Sequence, residues 1–374
     1  MKNFFLITGA YGNILGVQPK AFSGRLFSSS YRLRVASFLH SYRKTVMAKT
    51  TRLFKSFSRL LLPVVLLVLA AMAGGAVYLV YSTARPLTVG YLVTPDKYGQ
   101  LSTRAAQVTD ETWTNRDGTK ARGWLLKGAE GAPAVILLHK YGADRSYVLN
   151  LGVKLNESTN FTILMPDLRG HGANPPVEVV SFGGCETEDA GSAIEFVRNL
   201  KTDSQVSLVG NSIGIFGVEM GAMVALSAAA KDPSIRAVAV DSVPPDADSL
   251  LKASVKKQYP FATFATGKLA GIGTYMYYFD GCYQREPACD TAKRINDRSV
   301  LLLAGVDAQD YQDSTTKLSK CFAPGNQITG KVDLSPSGFS IINASMEQSS
   351  SYDQRVIDFF SQTLGGGVQV AQVP

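Results

Sequence analysis

Acidic residues are missing from the first 59 positions of this 374-residue chain, which carry eleven Lys and Arg and no Asp or Glu. The remaining 27 basic residues face all 30 acidic ones, so the net charge of +8 conceals a mildly acidic body. That distribution excludes the broad basic surface on which nucleic-acid binding depends. Histidine is almost as scarce. His40, His139 and His171 are the only three, and none lies in the C-terminal half. A mechanism needing an imidazole base from that half is excluded. The four cysteines contain no C-x-x-C and have no histidine near them, so a zinc site is not expected. No other metal-ligand cluster or cofactor motif is present, and no cofactor is implied. There is no internal repeat.

What the chain does have is one long uncharged run, Leu60 to Tyr81, with Pro63 in its first turn. Its 22 residues are enough to cross a bilayer as a helix. Lys44, Lys49, Arg52, Lys55 and Arg59 precede it, and only Arg85 and Lys97 follow closely. The positive-inside rule therefore puts residues 1–59 in the cytoplasm as a basic tail and everything after Thr83 outside, on a single-pass protein of the cytoplasmic (plasma) membrane. A cleaved signal peptide is the alternative, with Ala71-Met72-Ala73 as the cleavage site, but the apolar run continues beyond it to Tyr81. Met47 opens a compact basic segment before the span, so residues 1–46 read either as a product of start-site choice or as a disordered tail. All four cysteines, Cys185, Cys282, Cys289 and Cys321, follow the span, where disulfides can form. Cys282 and Cys289 bracket a short loop and are the favoured pair; four free buried thiols are the alternative.

Residues 82–106 read as a linker and 107–364 as one domain. Alternating stretches at 111–115 and 121–126 flank Asp117-Gly118, a hairpin signal. Ala132–Leu138 is continuously apolar, as a strand covered on both faces should be. Further strands are assigned to 161–165, 213–217, 237–241, 299–304 and 331–334, and helices to 188–200, 219–230 and 352–364. The alternation behind an antiparallel start predicts a mostly parallel, doubly wound α/β sheet. Residues 244–296 form an insertion rich in tyrosine and phenylalanine, which reads as a helical lid over the C-terminal ends of the strands. Most of these aromatics are accounted for by packing of the cap or by contact with a membrane. Residues 365–374 read as a frayed tail.

Several motifs then fall in a recognisable order: Gly123-Trp124 after the hairpin, a strand ending at His139, Asp167-Leu-Arg-Gly-His-Gly172, Gly217-Val-Glu-Met-Gly221, and Asp241-Ser242. Over about residues 107–364 the chain resembles the α/β-hydrolase superfamily, in particular its serine aminopeptidase-like and lysophospholipase-like esterases. The resemblance implies an α/β-hydrolase fold with a helical lid insertion, here preceded by one transmembrane helix. It implies that His139, Lys140, Tyr141 and Met220 shape the oxyanion region and that Arg169 and His171 belong to a structural turn. It also implies a G-x-S-x-G nucleophile elbow, a strained turn between strand and helix. Here the serine position holds Glu219. The family's histidine would fall in Ser335–Ile342, which has none, and Asp307 and Asp310 are candidates for its acid. Serine hydrolysis needs nucleophile, base and orienting acid together, and two of the three are absent.

Gly210-Asn-Ser-Ile-Gly214 matches G-x-S-x-G literally, but a strand rather than a helix follows Ser212, so Ser212 reads as a loop residue entering that strand. A lysine beside the substituted elbow suggests that Lys140 pairs with Glu219, which would compensate a buried carboxylate. The sequence thus points to a pseudohydrolase that binds an apolar small molecule under the lid, or serves as a partner of an envelope protein. The opposing reading is an active esterase or peptidase-like hydrolase using Ser212 or another arrangement.

Overall fold

The computed structural model describes residues 29–86, 91–100, 102–260, 264–279 and 281–365. The chain divides into two compact units, Met1–Leu69 and Ala70–Pro374. Helix α1 (Ser29–Thr83) begins well before the apolar run, because residues 29–62 contain neither glycine nor proline to stop it. Two expectations are corrected here. Residues 29–46 are helical rather than disordered, and Pro63 lies inside the helix rather than in its first turn. The stretch Phe57–Thr83 is long and apolar enough to cross a membrane. Residues 1–28 of the basic segment and the last residues, 366–374, lie outside the described residues.

The second unit is built on one eight-stranded sheet. In chain order its elements are α2 (Pro95–Tyr98), β1 (Thr109–Thr114), β2 (Lys120–Leu126), β3 (Ala132–Leu138), α3 (Leu149–Thr159), β4 (Thr162–Pro166), α4 (Gly184–Arg198) and β5 (Val209–Val218). They continue with α5 (Met220–Lys231), β6 (Ile235–Asp241), α6 (Ala247–Gln258), α7 (Phe264–Tyr277), α8 (Ala288–Ala292), β7 (Ser299–Gly305), α9 (Gln309–Leu318), β8 (Gln327–Leu334) and α10 (Met346–Leu364). The strand order is β1-β2-β4-β3-β5-β6-β7-β8. The β1–β2 hairpin and the β2–β4 pair are antiparallel, and every later pair is parallel. This is an α/β-hydrolase fold.

Strand alternation sends side chains into two cores. Ala134, Ile136, Leu138, Ile213 and Ile215 face α4 and α5, and Val135, Leu137, Phe216 and Val218 face α3 and α10. The central strand β3 is buried along its whole length, which explains its uninterrupted apolar sequence. The described part of 82–106, read above as a linker, lies against this body. Ala105 is fully buried, Tyr91 donates its hydroxyl to Asp167 at 3.0 Å, and Val180 N–H donates to the Ala84 carbonyl at 2.9 Å. Strand β5 also starts earlier than its apolar residues suggest. Ser212 is therefore inside the strand, not in a loop before it, because Val209 already pairs with Ala132 ahead of an irregularity in the register.

The cysteine pairing differs from expectation. Cys185 joins Cys282 and Cys289 joins Cys321, with Cα separations of 5.2 and 5.3 Å. The turn between Cys282 and Cys289 carries them to different neighbours, α4 and the end of α9, so proximity in sequence was misleading. Non-reducing peptide mapping is expected to recover the 185–282 and 289–321 cross-links and no 282–289 peptide. Replacing both Cys289 and Cys321 by serine opens a loop with a sequence separation of 32, which should destabilise the chain. Chain entropy puts the loss at roughly 2–4 kcal/mol, readable by denaturant titration.

Candidate active site

Three strand ends and two loops meet at the C-terminal edge of the sheet. Strand β5 runs directly into α5 through one residue, Glu219, whose backbone sits at φ 51° and ψ −108°. A side-chain-bearing residue in this region is strained. The turn is possible because its neighbours have no Cβ. A methyl on Gly217 would lie 2.1 Å from the Gly221 carbonyl oxygen, and one on Gly221 would lie 2.6 Å from the carbonyl oxygens of Leu138 and His139. The backbone of a nucleophile elbow is therefore intact, with a carboxylate in the nucleophile's place.

That carboxylate is turned inward. Glu219 is 6% exposed, and its Oε2 accepts the backbone N–H of Tyr141 at 3.0 Å. The Tyr141 N–H comes from the loop after β3, where an oxyanion-hole donor of this fold belongs. A donor that would meet a developing oxyanion is thus occupied by the chain's own side chain. The Tyr311 hydroxyl, in the first turn of α9, faces Glu219 and favours its ionised form. Burial pushes the Glu219 carboxyl up to about 7, against the opposing effects of the Lys140 charge and the Tyr141 N–H.

Lys140 does not form the expected ion pair with Glu219. Its ammonium donates to the Phe339 carbonyl at 2.5 Å and lies over the Phe339 ring at 4.3 Å and the Tyr147 ring at 5.0 Å. Its charge still favours the ionised form of Glu219, while burial lowers its own pKa.

Both histidines of this region are committed to the loops. His139 Nε2 accepts the Leu168 N–H at 3.0 Å, which leaves Nδ1–H to donate to the Lys140 carbonyl at 2.8 Å. His171 Nε2 accepts the Gly142 N–H at 3.0 Å, and its Nδ1–H donates to the Arg169 carbonyl at 2.9 Å. Neither ring has a nitrogen to spare. Burial holds His139 down to about 4 and His171 down to about 3, so both are neutral. The adjoining turn is fixed by Asp167, which accepts from Arg122 at 3.1 Å and from the Arg145 N–H at 3.0 Å.

The loop after β8, where the resemblance would place a base, brings Ser337 to Asp307. The Ser337 N–H and hydroxyl both donate to the Asp307 carboxylate at 3.0 Å. Asp307 holds a serine in the way an orienting acid holds a histidine. The next residue, Gly338, donates its N–H to Asp241 at 2.9 Å, and Asp241 also accepts from Ser242 at 2.6 Å and Tyr352 at 2.8 Å. Burial raises the Asp241 carboxyl despite these donors. Asp310 is exposed on α9 and does not enter the site. Ser212 lies seven residues before Glu219 on β5, roughly 23 Å away at strand rise. Met220 is fully buried at the start of α5.

Sequence reasoning missed Tyr311, Ser337 and Tyr352. Only Ser337 had a signal, its position in the loop where a histidine was sought. Among the described residues, no group of three or more His, Cys, Asp or Glu could hold a metal. A cleft of about 580 Å³ opens between α3, α10 and the loop after β8, lined by Leu92, Tyr98, Tyr147, Phe216 and Tyr352. It is not lined by the insertion between β6 and β7 that was read as a lid.

Comparison with known proteins agrees with this architecture. The family model for the alpha/beta hydrolase fold matches residues 133–266. The thiohydrolase aneE of Aspergillus aculeatus is 27% identical over 125 residues, which is 33% of this chain and 37% of that one. The chain thus spans little more than a third of that relative. Among solved structures, the esterase Pf2001 of Pyrococcus furiosus superposes with a TM-score of 0.53 at 18% identity, covering 75% of this chain and all of that one. The α/β hydrolase GrgF from Penicillium sp. sh18 gives 0.51 at 15% identity, covering 69% of this chain and 99% of that one. At these identities the structural likeness speaks for fold alone.

The raised pKa of Glu219 has a definite consequence for stability. From its ordinary 4.5 up to about 7, the folded chain keeps a proton that the unfolded chain releases. This group's contribution therefore falls as pH rises through that window and is constant above it. The two histidines act in the opposite sense. Their contribution is complete above 6.5 and is lost as pH falls towards about 4 and about 3. Comparison with Glu219→Gln isolates the carboxylate. The variant is expected to match the parent near pH 4.5 and exceed it at pH 8, by on the order of 3 kcal/mol at about 1.4 kcal/mol per pKa unit. Thermal unfolding of the detergent-solubilised chain from pH 5 to 8 measures this; a constant offset across the range would contradict it.

Proposed function

We propose that this chain, a member of the α/β-hydrolase superfamily, is a membrane-anchored pseudohydrolase whose extracytoplasmic domain binds or scaffolds rather than hydrolyses. The observation that carries this reading is the Glu219 carboxylate, seated at the elbow and bonded to the Tyr141 N–H. It removes a nucleophile and occupies an oxyanion donor in one substitution. The environment of the base position supports the same conclusion, since Asp307 orients a hydroxyl there and a serine cannot take up a proton at neutral pH. Neither histidine has a free ring nitrogen to stand in.

The anchor reading rests on Phe57–Thr83 and its basic N-terminal flank. Two disulfides downstream of it support an oxidising, extracytoplasmic setting for the domain, with the N-terminus in the cytoplasm. The ligand or partner would be an apolar small molecule or an envelope protein. For a small molecule, the mostly apolar cleft beside Tyr147 and Tyr352 offers more room than the filled site at Glu219.

The full chain in detergent is expected to show no turnover of short-chain esters or thioesters and no labelling by a fluorophosphonate. Glu219→Ser alone should remain unlabelled, because the substitution restores a hydroxyl and no base. Turnover that vanishes in Ser212→Ala would overturn the reading in favour of a hydrolase working from the far end of β5. Turnover that survives both substitutions would do so in favour of a different catalytic group.

A further inference from the structure

The last turns of α1 are not free of the domain that follows them. Residues Ala70–Thr83 belong to the same compact unit as the sheet, and they pack on α7. The contact is close enough to require glycine. A methyl on Gly273 would fall 2.3 Å from the Ala76 carbonyl oxygen and 2.8 Å from Val80. Ala76, Val80, Ala270 and Thr274 are fully buried in this seam. Small residues that let two backbones approach are how helices associate within a bilayer. The seam continues through Tyr81, edge-on to Tyr277 at 6.2 Å, and Arg85, which donates to the Tyr277 hydroxyl at 3.1 Å.

The opposite surface of this pair is apolar and uncovered. On α7 and the turn after it, Ile272, Tyr275, Met276 and Phe279 are exposed, Phe279 by 83%; on α1, Tyr78 and Tyr81 are exposed beside them. Among its 14 residues α7 has a single charge, Lys268. Such a surface is far from what a helix facing water carries. At about 1.5 Å per residue α7 is too short to span a bilayer by itself. Its tyrosines are accompanied by arginine in the manner of a membrane interface. Arg85 lies over the Tyr81 ring at 4.0 Å and Arg285 over the Tyr275 ring at 4.6 Å.

We propose that α7 and the turn ending at Phe279 are immersed in the outer leaflet of the bilayer that α1 crosses, so that lipid covers this face. The proposal rests on the anchor reading above and adds to it a second, interfacial point of attachment. The occupant is a lipid surface because the patch is continuous with the anchor: α7 touches α1 within the apolar run itself, and water cannot cover the one without covering the other. The domain then lies against the membrane with the insertion between β6 and β7 beneath it.

The test uses the full chain reconstituted in phosphatidylcholine vesicles, with Phe279→Trp, Tyr275→Trp and, as a control, Val206→Trp in the exposed turn before β5. The native Trp113 and Trp124 are buried in the domain and supply a constant background. Emission from Phe279→Trp and Tyr275→Trp should be blue-shifted and lost to lipids brominated near the headgroup end of the chains, at about 5–10 Å depth. Val206→Trp should respond only to acrylamide in the water. If the chain floats with the vesicles but acrylamide quenches all three variants alike, the proposal fails and the anchor reading stands. If the chain does not float with vesicles, both fail. Shielding from both quenchers, with a dimer that survives dilution into excess lipid, would assign the patch to a second copy of the chain and overturn the proposal.

Discussion

A strand that becomes a helix within one residue leaves no space for side chains on either side of the turn, and this steric constraint organises the site. Gly217 and Gly221 are fixed by it, since any Cβ there would enter a backbone carbonyl. Glu219 bears its cost, standing at positive φ with a side chain that must go where the turn points it. The turn aims that side chain at the loop following β3. A carboxylate delivered there meets one strong donor, the Tyr141 N–H, and little water. The geometry that would present a nucleophile here directs a carboxylate onto the Tyr141 N–H.

The electrostatics follow from the plug being charged and buried. Two cationic or polar neighbours, Lys140 and the Tyr311 hydroxyl, soften the penalty without removing it, and the carboxyl remains close to half-protonated near neutrality. The Lys140 ammonium faces the same problem and solves it separately, with a carbonyl and two aromatic rings. The two charges influence each other without touching. Around them the loops are held by neutral histidines and by Asp167 with its arginines, so the architecture of the site is kept by groups that take no part in bond breaking.

Most of the fold was legible because it is written in local patterns: the Asp117-Gly118 hairpin, the apolar β3, the elbow glycines and the Asp167–Gly172 turn. The substitution at Glu219 was legible for the same reason, as one position in a short motif. Contacts between distant segments were not. Nothing near Cys282 in sequence indicates Cys185, and nothing near Asp307 indicates that it bonds Ser337 rather than a base. Lys140 was placed on the wrong partner because a lysine has enough rotamers to reach several, and the choice is made by Phe339, almost two hundred residues away. Ser212 matches the nucleophile motif only literally, because Gly210–Gly214 lies within β5, ahead of the elbow. The full extent of α1 is not marked by hydropathy, because its basic first half continues the helix only through the absence of helix breakers upstream.

Tyr141 occupies an unusual position among these contacts. Its N–H holds Glu219, and its hydroxyl donates to the carbonyl of Thr83, the final residue of α1, at 2.6 Å. One side chain and one peptide group of the same residue therefore tie the end of α1 to the elbow. A shift of that helix end relative to the sheet has to strain one bond or the other. Ionisation of the carboxylate strengthens the inner bond and leaves the outer one unchanged. The residue therefore couples the position of the α1 end to the closure of the elbow, so a displacement of that helix end and the proton occupancy of Glu219 bear on the same residue.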